Sequence, residues 1–211
     1  MKPFVVTLLA GICGGKSTIA SKFAKLGAKI VDADKIGHAQ LANPTLIQRI
    51  SQEWGSMVLD SQGQVDRKKL GPVVFADPSQ LKKLEAMISP LILTEIKNQL
   101  LQYETTDETT KVVILDAPLA GETGLLATAD LIIFIDVDLE VRRQRAEQIR
   151  HWNPGELERR EKLQMPLEEK RKLAHHVIKN NSNDEADQDI QKIWEAVVAS
   201  LKLKRKMALG G

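Results

Sequence analysis

At 211 residues, with 43% hydrophobic and 27% charged residues, the chain is long enough for one globular domain with a real core and a small insertion. A net charge of +2 is too mild to argue for nucleic acid, and no apolar run reaches the roughly 18–20 residues of a membrane span. The single cysteine precludes an internal disulfide and suits a reducing cytoplasm, so a soluble cytoplasmic monomer with small-molecule partners is expected.

In chain order, residues 4–9 (FVVTLL) read as a strand buried on both faces. The lysine and apolar run at 1–11 superficially resemble a secretory leader, but the run leads straight into a glycine-rich turn. Residues 17–26 form the first predicted helix, with Ile19, Ala20, Phe23 and Ala24 on one side and Gly27 as its stop. Further strands are expected at 28–31, 111–115 and 131–135, with a weaker one at 176–178. The order β-α-β-(helices)-β-α-β-α-α-β-α predicts an α/β fold, a central parallel sheet covered by helices with right-handed crossovers. Residues 34–110 lack a core strand and read as a helical insertion, in which Pro90 should bend or break the long helix around it. Residues 139–173 are rich in Arg and Glu and interrupted at HWNPGEL, a pattern suited to a helix-loop-helix lid. The remaining pieces, 1–33, 111–138 and 174–203, make the expected core of a single domain spanning 1–211.

Residues 10–18, AGICGGKST, lie between the first strand and the first helix. Gly15, Lys16 and Ser17 fill the closing positions of the phosphate-loop template G-x-x-x-x-G-K-[S/T]. Backbone amides in such a turn point at a phosphate, and the helix N-terminus adds partial positive charge. Lys16 would reach the β- and γ-phosphates, and the Ser17 hydroxyl would join a Mg²⁺ shell. Ala10 stands where the template opens on glycine, and a thiol, Cys13, sits in the turn itself. The alanine is harmless at negative φ, whereas Cys13 would carry about 1 kcal/mol of strain if the turn needs positive φ. A thiol at a helix N-terminus should also be acidified. The bland reading, a glycine turn without a ligand, loses to the combined motif and context.

After the second strand comes VDADKIGH (31–38). Asp32 and Asp34 project the same way if the strand continues, and a carboxylate at a strand's C-terminal edge is placed to take a proton from an acceptor hydroxyl. Helix capping explains either acid about equally well. GQVDRKKLGPVVFADP (63–78), VVILDAPL (112–119), EKLQMPLEEKRKLA and VIKNN (161–181) then follow in order. With the loop and D-A-D, these segments resemble the dephospho-coenzyme A kinase family over residues 4 to about 196.

The resemblance implies a P-loop kinase of three-layer α/β/α architecture. It also implies transfer of the ATP γ-phosphoryl group, with Mg²⁺, to the ribose 3′-hydroxyl of dephospho-CoA. Asp34 matches the general base, with Lys16 and Arg145 as its catalytic companions. Gly11, Cys13, Gly14, Gly15, Lys16, Ser17 and Thr18 match the ATP loop, Arg142 and Arg145 the first lid arginines, and Asn180 the asparagine near adenine. Ser17 is the metal ligand of that set. Arg67, Asp116, Pro118, Leu119 and Glu122 match the acceptor-binding face.

The chain departs from the family pattern at Ala10, Cys13, Gly14, Ser89, PLAGE (118–122), Ile149 and His175. A lid arginine expected at 149 falls one residue later, at Arg150, about 100° around a helix. A kinase for another small alcohol or nucleotide, and a nucleotide-binding protein with impaired catalysis, therefore stay open. For Arg142 and Arg145 the competing explanation is a solvated helix face. The four histidines make no metal site, and scattered Trp54, Trp152 and Trp194 suit packing.

Overall fold

The computed structural model describes residues 2–104, 111–117, 125–182 and 184–209. Five strands form one sheet: β1 (Phe4–Ala10), β2 (Lys29–Asp32), β3 (Val112–Asp116), β4 (Leu131–Asp136) and β5 (His176–Lys179). The order is β2-β3-β1-β4-β5. Pairing is parallel, with Val6 opposite Ile114 and Leu131, and Phe134 opposite Val177. The apolar runs predicted as strands are the strands observed. Each of β1, β3 and β4 is flanked on both sides and covered on both faces, which is why its sequence does not alternate.

The chain divides into two compact units, Met1–Val31 with Leu100–Gly211, and Asp32–Gln99. In the sheet unit, α1 (Lys16–Lys25) and α9 (Asp187–Leu209) pack on one core, where Ile19, Ala20 and Phe23 meet Leu8, Ile114, Ile133, Ile178, Ile190 and Val197. The same unit carries α6 (Leu139–Arg150), α7 (Glu156–Glu161) and α8 (Leu167–Lys172). The helical unit has its own core of Leu46, Ile50, Val58, Leu70 and Val74. It is built from α2 (Ala33–Gln40), α3 (Pro44–Trp54), α4 (Arg67–Ala76) and most of α5 (Pro78–Glu104). Asp32, Asn43 and Asp66 cap α2, α3 and α4 through their side chains.

Pro90 does not divide α5, contrary to expectation. Leu84, Met87, Ile88 and Leu91 on either side of it pack against the helical-unit core. That packing offsets the one backbone hydrogen bond a proline forfeits. Among the described residues, no helix is long and apolar enough to cross a membrane.

Candidate functional site

The site grows from the turn between β1 and α1. Gly14 N–H donates to Gly11 O at 3.0 Å, and Cys13 (φ 59) and Gly15 (φ 81) are both left-handed. Cys13 therefore carries the strain that its position threatened, about 1 kcal/mol. Ala10 ends the strand and has no positive φ. A β-carbon placed on Gly14 would lie 2.8 Å from Ala10 Cβ, so the departures at 10 and 14 compensate each other. Gly15 is required twice over: by its φ, and because a β-carbon there would lie 2.5 Å from Asn180 Nδ2. Helix α1 has neither a capping side chain nor an acid in its first turn. Its N-terminal amides and positive dipole end are left for an anion.

Side chains from the far half of the sheet unit hold this turn. Buried Asn180 donates from Nδ2 to Gly14 O at 3.1 Å and from its backbone N–H to Asp136 O at 3.0 Å. Arg145, on α6, donates to Asn180 O at 2.7 Å, Asn181 O at 3.3 Å and Cys13 O at 3.4 Å, bridging the loops after β1 and β5. Arg142 is only 5% exposed; it donates to Val137 O at 3.2 Å and pairs with Glu161. The solvated-face explanation thus fails for both arginines. Glu161 accepts from Ile12 N–H at 3.0 Å, and Lys170 Nζ, on α8, lies 2.9 Å from Gln164 Oε1 and 3.5 Å from Ala10 O.

The thiol of Cys13 does not behave as its place before a helix suggested. Burial pushes its pKa up, and Glu161 adds to the rise. Arg150, Arg142 and Arg145 pull it down by less. Arg150, one residue beyond exposed Ile149, is the first of the charges that lower it. Its guanidinium lies 5.2 Å from the centre of the Trp152 ring, which Arg160 covers at 4.3 Å. Trp152 is thus a packing element of this segment.

At the end of β3, Asp116 is buried and its Oδ2 accepts from Ser17 Oγ at 2.8 Å. This joins Asp116 to the start of α1, a neighbourhood that its reading as an acceptor residue did not include. A hydroxyl beside a carboxylate fits Mg²⁺, which takes one or two protein oxygens and completes its shell with water and phosphate. Lys16 opens α1, with Ser17 and Thr18 exposed behind it.

In the helical unit the strand does not continue through D-A-D. Asp32 ends β2 and caps α2, accepting from Lys35 N–H at 3.0 Å, while exposed Asp34 sits in the first turn of α2. The two acids thus occupy different positions, one the cap of α2 and the other its first turn. Arg67 is the exposed first residue of α4. Pro118, Leu119 and Glu122 lie outside the described residues.

A family profile of dephospho-CoA kinase matches residues 4–186. The chain belongs to the dephospho-CoA kinase family. Its activity is dephospho-CoA kinase, the final step of coenzyme A biosynthesis, with ATP as the phosphoryl donor. It is 34% identical to the dephospho-CoA kinase of Symbiobacterium thermophilum over 194 residues, covering 91% of this chain and 80% of that one. To the Aquifex aeolicus dephospho-CoA kinase it is 35% identical over 193 residues, 90% and 95% of the two chains. The solved dephospho-CoA kinase of Campylobacter jejuni superposes with a TM-score of 0.69 at 28% identity, over 93% and 98% of the chains.

Sequence reasoning on this kinase missed Glu161, Gln164 and Lys170. All three lie in the segment EKLQMPLEEKRKLA, which carried part of the family resemblance but received no roles. No signal in the sequence singled them out, because the charge pattern of that segment equally fits a solvated lid.

Proposed function

We propose that the uncapped N-terminus of α1 seats the phosphates of ATP, and that the Ser17–Asp116 pair holds the accompanying Mg²⁺. The observation that carries this reading is the 2.8 Å hydrogen bond between those two side chains at the open end of the helix. Gly11, Cys13, Gly14, Gly15 and Thr18 line the loop, and Asn180 sits at its adenine side. Lys16 and Arg145 supply positive charge where the transferring oxygens accumulate negative charge. Arg145 is held in place by three carbonyls and needs little rearrangement to do so. Mg²⁺, when bound, neutralises phosphate charge and fixes the triphosphate geometry.

Residues 34–110 act as the acceptor-binding subdomain, with Asp34 as general base and Arg67 among the groups that receive dephospho-CoA. Asp116, Pro118, Leu119 and Glu122 are further residues that the family resemblance assigns to the acceptor. The ribose 3′-oxygen forms a bond to the γ-phosphorus as the bond from that phosphorus to the β,γ-bridging oxygen breaks. The hydroxyl proton passes to the Asp34 carboxylate, and ADP leaves. Residues 139–173 serve as a lid that excludes water during transfer. A single half-buried thiol suits a reducing cytoplasm, where the protein works as a monomer.

The test is ADP release from ATP and Mg²⁺, with and without dephospho-CoA, in wild type and Asp34→Asn. Release should depend on dephospho-CoA, and the variant should lose about 10²- to 10⁴-fold in kcat. Wild-type turnover in Asp34→Asn would remove Asp34 from the role of base.

A further inference from the structure

Residues 10–14 of the ATP loop are gripped from outside by side chains of residues 142–180. Asn180, Arg145 and Lys170 approach the carbonyl oxygens of Gly14, Cys13 and Ala10. Glu161 differs from them in sign and in target, because its carboxylate takes an amide, Ile12 N–H, at 3.0 Å. Its position is fixed from behind by buried Arg142, itself anchored on Val137 O. The pair is packed on the loop: a β-carbon on Gly11 would lie 2.7 Å from Arg142 Nη1 and 2.9 Å from Glu161 Oε1.

We propose that Glu161 is a positioning residue for ATP, whose carboxylate holds Ile12 N–H and keeps the left-handed turn at Cys13 formed before the nucleotide arrives. The strained residue lies between two anchors, Glu161 on the amide of residue 12 and Arg145 on the carbonyl of residue 13. A charge-assisted hydrogen bond is strong enough to offset the penalty of one left-handed side chain. Arg142 balances the carboxylate, so a negative charge can sit by a phosphate loop without repelling its ligand outright. The amides at the uncapped start of α1 stay available for the phosphates. Preformation shows as nucleotide affinity, because the loop's ordering is then not drawn from binding energy.

The inference rests on residues 10–17 being the ATP cradle, which Lys16→Ala tests separately. Steady-state kinetics at saturating dephospho-CoA should give Glu161→Ala a KM for ATP about tenfold higher, or about 1.4 kcal/mol, with kcat within twofold. The KM for dephospho-CoA should not move. Glu161→Gln keeps an acceptor for Ile12 N–H but loses the ion pair, so its KM for ATP should rise less, about threefold. If Glu161→Ala does not fold, the same split in Glu161→Gln decides. Iodoacetamide should reach Cys13 faster in Glu161→Ala. An unchanged or lower KM for ATP in both variants overturns the proposal, as does a loss confined to kcat. Loss of turnover in Lys16→Ala alongside unaltered Glu161 variants would leave the cradle standing and remove only the tether. Full activity in Lys16→Ala would instead remove the cradle.

Discussion

A thiol inside the turn between β1 and α1 is drawn two ways. The start of α1 and three arginines favour the thiolate, whereas burial and the Glu161 carboxylate favour the thiol. Burial wins, so Cys13 sits above the ordinary thiol value of 9.0. The thiolate is the nucleophile, and its fraction at neutral pH is correspondingly small. Iodoacetamide should therefore modify Cys13 slowly at pH 7, at a rate that keeps climbing as the pH passes 9.0. Saturating ATP should slow the reaction further by covering the loop. A pH–rate profile that levels off below 8 would mean that the arginines and the helix dipole outweigh burial after all. The neighbouring departures follow a similar logic of local compensation: the Ala10 methyl occupies space that only a glycine at 14 leaves open.

At the level of elements, β5 shows how an unexpected side chain can serve a strand. His175, just before β5, donates its N–H to Ile132 O at 2.8 Å, and its ring Nδ1 accepts from Ile132 N–H at 2.9 Å. The imidazole thus supplies an acceptor at the start of the β4–β5 ladder, a task an aspartate could equally perform. His175→Ala should lower stability by about 1 kcal/mol in urea unfolding, while His175→Asp should stay near wild type. Equal loss in both would show that the ring's packing matters, not its acceptor. The strands themselves were legible because a strand buried on both faces has no polar positions to disguise it, as in VVILD and LIIFI. Element boundaries that depend on one side-chain hydrogen bond were not. Asp32 ends β2 by capping α2, and no periodicity distinguishes a capping aspartate from one that continues a strand. The turn between β1 and α1 was readable from its spacing, and the family resemblance named Arg142, Arg145 and Asn180 but not Glu161, Gln164 or Lys170. Glu161 and Lys170 lie in a segment whose charge pattern matches a solvated helix face, and only the fold brings them against the end of β1 and the turn after it. Their neighbours show why the pattern misleads: Glu156 makes ordinary short-range pairs with Arg159 and Arg160, which hold its carboxyl down at about 2.

Among the described residues, the sheet unit and the helical unit each have a hydrophobic cluster of their own, and the two differ in kind. The sheet unit buries β1, β3 and β4 almost completely, with α1 and α9 on the same cluster, and its chain is assembled from two distant stretches. The helical unit is one continuous stretch around a smaller core of Leu46, Ile50, Val58, Leu70 and Val74, with several half-buried side chains completing it. Local opening free energy follows buried apolar contact and backbone pairing, so the two cores should open independently. Native-state hydrogen exchange should find the slowest amides in Val5–Leu9, Val113–Leu115 and Ile133–Ile135, exchanging only on global unfolding. Amides of α3 and α4 should exchange together, earlier, and with a smaller dependence on denaturant, because less surface is exposed when only that unit opens. A single isotherm joining α3 with β1 would mean that the enzyme unfolds as one cooperative body. Two isotherms would mean that a kinase can loosen its helical unit, which carries Asp34, while the turn between β1 and α1 keeps its shape.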